Sequence, residues 1–156
     1  MICENGALSL PFRLAVSMLV IAMALPVCVK SLADGSHDLS RTAAIEIAKE
    51  ISDAISEVSH RSIGESRLLS IGEALHMMAP GMEIRIGDTF GGRNYSSIAC
   101  SDQAGWFVTL SVSLPGSIDG VCSPSRQPVF VGSDSGDVIV SHDGSANEDI
   151  IVLRPL

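Results

Sequence analysis

Hydrophobic positions change their spacing twice along this chain. Residues 7–29 form a nearly unbroken apolar run, ALSLPFRLAVSMLVIAMALPVCV, in which Arg13 is the only charge. About 20 residues of helix at ~1.5 Å rise cross a ~30 Å hydrocarbon core, so the run has the length and polarity of a membrane span. Residues 14–29 alone would reach only ~24 Å. The expected helix therefore takes in 7–12 as well, with Arg13 reaching toward the headgroups along its apolar stem.

Between residues 38 and 59 the spacing becomes helical and one-sided. Ala44, Ile47, Ile51, Ala54 and Val58 recur at steps of three and four, with Ala48 and Ile55 widening the stripe, while Glu46, Lys49, Glu50, Asp53 and Glu57 fill the other face. This pattern predicts an amphipathic helix. Asp34-Gly35-Ser36 permits a kink before it, and Asp38 or Ser40 suits its N-cap. The stripe has two uses: packing on a sheet, or forming a self-associating seam of about three heptads.

Past Gly64 the pattern alternates and turn residues recur at short intervals. Strands are expected at 67–71, 82–86, 97–101, 106–114, 129–131, 138–141 and 150–153, with a helical turn at 73–79 before Pro80-Gly81. In 106–114 alternation sends Trp106, Val108, Leu110, Val112 and Leu114 one way and Phe107, Thr109, Ser111 and Ser113 the other. One buried face and one wet face fit an antiparallel sheet or sandwich. The expected class is α+β: a transmembrane helix continuing into an amphipathic helix, then a small antiparallel β-sandwich-like domain. The corresponding divisions are 1–35 (membrane anchor or targeting), 36–60 (amphipathic helix) and 61–156 (β domain).

Three readings of the N-terminus stand open. A retained anchor fits an apolar run that leads into more helix. A cleaved secretory signal would use Arg13 as its basic residue, 14–25 as its apolar core, Pro26 as the break and Ser31-Leu32-Ala33 as the cleavage site. A buried core helix asks a small domain to cover a very apolar surface.

Charge then narrows the partners. A formal net charge of -8 argues against nucleic acid, which is bound through clustered Lys and Arg. Flanking charges do not set the orientation, since Arg13 precedes the span and Lys30, Arg41 and Lys49 follow it. A very short N-terminal tail, the pair Cys100 and Cys122, and an N-x-S glycosylation acceptor at Asn94-Tyr95-Ser96 favour an extracytoplasmic C-terminal domain. Cys100 and Cys122 are expected to pair, closing a loop of about 20 residues for ~3 kcal/mol, the alternative being two separate buried thiols. Cys28 belongs to the apolar run and reaches neither.

Motifs with chemical meaning are few. The segment 87–94, GDTFGGRN, has the outer glycines of a phosphate loop but Arg93 and Asn94 in place of lysine and hydroxyl, and a β segment follows where a helix is required. It reads as a hairpin loop. Asp134-Ser135-Gly136 reads as a turn, because His37, His60, His76 and His142 are scattered and none is placed to serve Ser135. Asp134, Asp137, Asp143, Glu148 and Asp149 lack the alternation of a calcium loop and read as solvated carboxylates. No catalytic residue, cofactor or metal site is expected, and no enzymatic activity.

Gly6-Ala7-Leu8-Ser9-Leu10-Pro11-Phe12-Arg13-Leu14, with the layout that follows it, resembles archaeal type IV pilin-like proteins and small archaeal membrane proteins with similar N-termini. The resemblance implies a peptidase cut between Gly6 and Ala7. It also implies a span in the cell membrane through residues 7–29 and a non-enzymatic extracytoplasmic domain that meets other envelope or pilin-like subunits, as a homo- or hetero-oligomer. The alternative is a secreted or anchored accessory binding module, its signal cut after Ala33, that joins no filament.

Overall fold

A computed structural model describes residues 5–90, 93–145 and 148–156, with side chains described for 11–87, 96–144 and 148–156. The first element is a long helix, α1 (Asn5–Ser59), with Pro11 and Pro26 inside it. Among the described residues eight strands follow, with one short helix between them: β1 (Ser66–Leu69), α2 (Gly72–Leu75), β2 (Glu83–Phe90), β3 (Arg93–Asp102), β4 (Gly105–Ser111), β5 (Gly120–Cys122), β6 (Val129–Gly132), β7 (Val138–Ser145) and β8 (Glu148–Pro155). Two compact units divide the chain, 1–39 and 40–156. The fold is α+β, as expected.

The unit 1–39 is helical from Asn5 on, and the helix runs unbroken through Asp34-Gly35-Ser36. Gly35 has open space around it, and the Ser36 hydroxyl donates back to the Ala33 carbonyl at 2.9 Å, a bond that keeps the local turn helical. Neither Asp38 nor Ser40 stands at a helix start, since α1 runs through both. Ser40 instead donates to the Met77 carbonyl at 3.3 Å within the second unit.

In the unit 40–156, strands form two four-stranded sheets, ordered β1-β7-β8-β5 and β4-β3-β2-β6. All pairs are antiparallel except β5 with β8, which runs parallel. The all-antiparallel expectation is corrected here. β5 is a three-residue strand, too short to give an alternation signal, and it supplies the parallel edge. The predicted helical turn at 73–79 shrinks to α2, which buries Leu75.

The core joins three surfaces. Ala44, Ile47, Ala48, Ile51, Ala54, Ile55 and Val58 from α1 are buried in one cluster with Ile84, Ile86 and Ile98 of one sheet and Leu69, Val140, Ile151 and Leu153 of the other. The helical stripe is therefore covered by the chain's own strands. Glu46, Lys49, Glu50, Asp53 and Glu57 stay exposed on the opposite side. Each buried aliphatic side chain contributes about 1.5–3 kcal/mol.

Two irregularities shape the second sheet. Gly87 stands at a register shift in β2, between Ile86 and Asp88, with φ +77. A Cβ there would lie 2.2 Å from the Val121 carbonyl oxygen, so glycine is needed both for the left-handed backbone and for the close pass of β5. The second shift pairs Cys100 with Val108 but Ser101 with Trp106, leaving Phe107 as the extra residue of a bulge. That bulge reverses the predicted facing of two aromatics: Trp106 is 54% exposed, and Phe107 packs against the core.

Ile51 is fully buried, so Ile51→Asp places an unpaired carboxylate in the core and should cost at least about 3 kcal/mol. Gly87→Ala should cost about 2 kcal/mol or more through backbone strain and the clash with Val121. Urea unfolding followed by circular dichroism checks both, with Glu50→Ala on the exposed face as the near-neutral comparison.

Candidate functional site

Among the described residues, most of the large apolar side chains left exposed belong to the unit 1–39. Phe12, Leu14, Met18, Ile21, Met23 and Val27, spread around α1, are all exposed. The best 18-residue window has a mean hydropathy of 2.2 and none of it is buried. A helix that is hydrophobic all round needs a hydrophobic environment, and this one has no protein cover. By length and composition it is able to cross a membrane.

Its polar groups are few and mostly satisfied from within. The Ser17 hydroxyl donates to the Arg13 carbonyl at 2.8 Å, which hides the hydroxyl's proton in the helix's own backbone. Pro26 has no N–H, so the Ala22 carbonyl loses its helical donor at that turn. Arg13 and Lys30 bound a stretch of 16 uncharged residues, 14–29.

In the unit 40–156 the polar groups serve as ties between segments. Arg41 holds Asp102 through Nε at 2.9 Å and Nη2 at 2.5 Å, and its guanidinium carbon lies 5.0 Å from the Phe107 ring centre. Asp102 also accepts the Ala104 amide at 2.8 Å, fixing the β3–β4 turn. His142 on β7 engages both ring nitrogens: Nδ1 lies 2.8 Å from the Arg61 carbonyl and Nε2 2.6 Å from Asp149 Oδ1. Its backbone bonds with Gly64 and Glu65 complete a clasp between the end of α1 and the first sheet.

An open cleft of about 270 Å³ lies against β7 and β8, with Ile150 and Val152 among its lining residues. Arg126 pairs with Glu148 and Arg154 with Asp143 along its walls, so charges that would read a ligand already neutralise one another. Ser135, in a tight turn, accepts the Gly132 amide on its hydroxyl at 3.0 Å. Among the described residues no group of three or more His, Cys, Asp or Glu is placed to hold a metal ion.

Cys100 and Cys122 are separate thiols in this structure, so the expected pairing is not formed. The register explains why. Cys100 on β3 sits inside the core cluster and its thiol faces the Ala44 carbonyl at 3.7 Å. Cys122 on β5 pairs with Val152, and both lie outside that cluster, on the far face of their sheet. Burial pushes the Cys100 thiol up to about 11. Burial, the larger cause, and the Glu148 carboxylate also raise Cys122, against the opposing pull of Arg126.

Asn94 stands opposite Thr89 in the β2–β3 hairpin, and its side chain lies outside the described residues, as do those of Gly6 and Ala7 in α1. Gly91 and Gly92 of the phosphate-loop-like segment also fall outside them. The flanking register, Phe90 opposite Arg93, makes the segment a hairpin followed by strand. Sequence reading missed the Arg41–Asp102 tie and the His142 clasp. Their partners are 61 and 7 residues apart, with only single charges and no motif to signal them. No protein-family model, curated protein or solved structure matches this chain.

The Asp102 side chain is 4% exposed, so Arg41→Met should destabilise the domain by about 1–3 kcal/mol, and Asp102→Asn in the same chain should recover part of the loss. A double-mutant cycle by urea unfolding measures it. The raised Cys100 thiol gives an alkaline limit. Its contribution is complete below the ordinary thiol value of 9.0 and is lost as pH rises through about 11. Melting temperature should fall over that window, and more gently in Cys100→Ala.

Proposed function

We propose that this is a single-pass membrane-anchored, pilin-like structural or interaction protein without enzymatic activity. Its apolar helical segment lies in the bilayer, and its α+β domain makes protein contacts on the extracytoplasmic side. The single observation that carries the reading is the uncovered apolar surface of residues 11–32, which a bilayer would cover and the chain itself does not. Residues 7–29 contact lipid, and Arg13 reaches to the headgroup layer.

The rest of the domain supports an interaction role. Its two sheets share one buried core with the amphipathic stripe of α1, and β5 of one sheet lies directly against β2 and β3 of the other. Its clefts are open and shallow and carry mutually paired charges, more like surface relief than a pocket for a small molecule. The acceptor sequence at Asn94 supports outward placement. The accessory-module reading, with a cut after Ala33, is favoured by one feature: such a cut leaves the compact unit 40–156 whole.

Alkaline carbonate extraction tests the anchor: full-length protein should stay with the membrane pellet, and release into the supernatant would refute a span. Mass of the mature N-terminus then separates the classes. A chain beginning at Ala7 supports pilin-like processing, one beginning at Asp34 supports the secreted module, and an uncut chain supports a plain anchor. Protease treatment of intact cells should remove the β domain if it faces outward.

A further inference from the structure

We propose that the outer face of the sheet β4-β3-β2-β6 binds an uncharged, β-1,4-linked hexose chain, with Phe130 and Trp106 stacking on its sugar rings. The proposal adds a ligand to the α+β domain and rests on no part of the membrane reading. Strand register builds the face. Ile84 and Ile86 of β2 and Val129 and Val131 of β6 are buried, so alternation turns Arg85 and Phe130 outward, opposite each other in one rung. Ala99 and Thr109 continue that rung across β3 and β4. Trp106, in the next outward rung with Ser101 and Glu83, lies under the Arg85 guanidinium, whose carbon is 4.7 Å from the ring centre.

Two exposed rings, Phe130 at 53% and Trp106 at 54%, therefore flank one guanidinium on a single face. Ala99 on β3 is buried yet lies outside the core cluster, so the side chains around it lie down over the outside of the sheet. An open cleft of about 280 Å³ adjoins, sharing Glu83 and Phe130 with this face. Ser133, Asp134 and Ser135 add to its polar lining, and among the described residues that line it none is Lys, Arg or His.

The local charges select the ligand. Glu83 and Asp134 repel an anion, which disfavours phosphates and nucleic acids, while Arg85 in the middle of the face opposes a cation. What fits is an uncharged molecule with hydroxyl donors for the carboxylates and serines and flat C–H faces for the two rings. A hexose with equatorial hydroxyls has both. Joined through β-1,4 links, such sugars form a flat ribbon that matches the face of a sheet. The edge strands β6 and β4 stand three strand spacings apart, about 14 Å, a reach for several linked sugars and not for one. A protein partner would be met by a continuous apolar patch, whereas here Arg85 separates the rings and Glu83, Ser101 and Thr109 share the face.

Trp106 is the only tryptophan in the chain, so its emission reports this face alone. The full chain, kept soluble in a sugar-free detergent, is titrated with cellohexaose and with chitohexaose, which separates a glucose chain from an N-acetylglucosamine chain. At least one should bind in the millimolar range or tighter, shift the emission to the blue and cut acrylamide quenching about twofold. Phe130→Ala should weaken that binding about tenfold and leave the urea midpoint close to the wild type, because the ring is exposed. Leu68→Ala, equally exposed but on the other sheet, should leave binding unchanged. Silence of both hexaoses at about 10 mM would overturn the proposal, as would binding indifferent to Phe130→Ala. Equal binding of the α-linked maltohexaose would overturn the match to a flat ribbon. A Trp106 already shielded from acrylamide without sugar would overturn it in favour of a second copy of the chain covering this face.

Discussion

The domain is held together by burial of one helical stripe. Ala44, Ile47, Ile51, Ala54, Ile55 and Val58 lie in the same cluster as the inner faces of both sheets, so neither sheet has a complete core without α1. With few aromatic residues, the chain fills this space with β-branched and small aliphatic side chains. Small residues at positions 44, 48 and 54 let the helix approach, while the isoleucines between them reach outward. The same helix, earlier in the sequence, shows the opposite condition: apolar side chains on every side and no protein against them.

Buried polar groups follow one rule in this structure. Among the described residues, no buried side-chain nitrogen or oxygen lacks a hydrogen-bond partner. Asp102, nearly closed off from solvent, is met by a guanidinium and a turn amide. His142, also buried, is met on both ring nitrogens. Each of these groups joins segments distant in sequence: the start of the domain's helix to the β3–β4 turn, and the helix's end to β7. A buried polar group left unmet is costly, so these contacts define one arrangement of the loops in addition to stabilising it.

Long, periodic elements were the legible ones. The apolar run and the 44–58 stripe repeat over several turns, and seven strands stand close to their expected places because alternation and turn residues agree there. What escaped was set by tertiary contact. β5 is three residues that pair only because β8 lies beside them. Trp106 and Phe107 exchange faces because a bulge inserts one residue, and nothing local to 106–111 marks it. The two cysteines have a plausible loop length, but one belongs to an inner face and the other to an outer face. Spacing cannot distinguish those. For the site, the exposed segment was legible from composition alone, whereas the Arg41–Asp102 tie and the His142 clasp required the fold.

The strand order of the first sheet, β1-β7-β8-β5, has a bearing on biogenesis. β8 follows every other strand in sequence yet sits in the interior of that sheet, hydrogen-bonded to β7 on one side and β5 on the other. β1 must wait for β7, whose partner residue for Ser66 is Ser141, 75 positions later (141 − 66). Closing such separated pairs is slow compared with forming local hairpins. The first sheet thus closes only after residue 155 has been made. Until then the β2–β3 hairpin and the helical stripe stand without part of their cover, and their apolar faces are open to other chains.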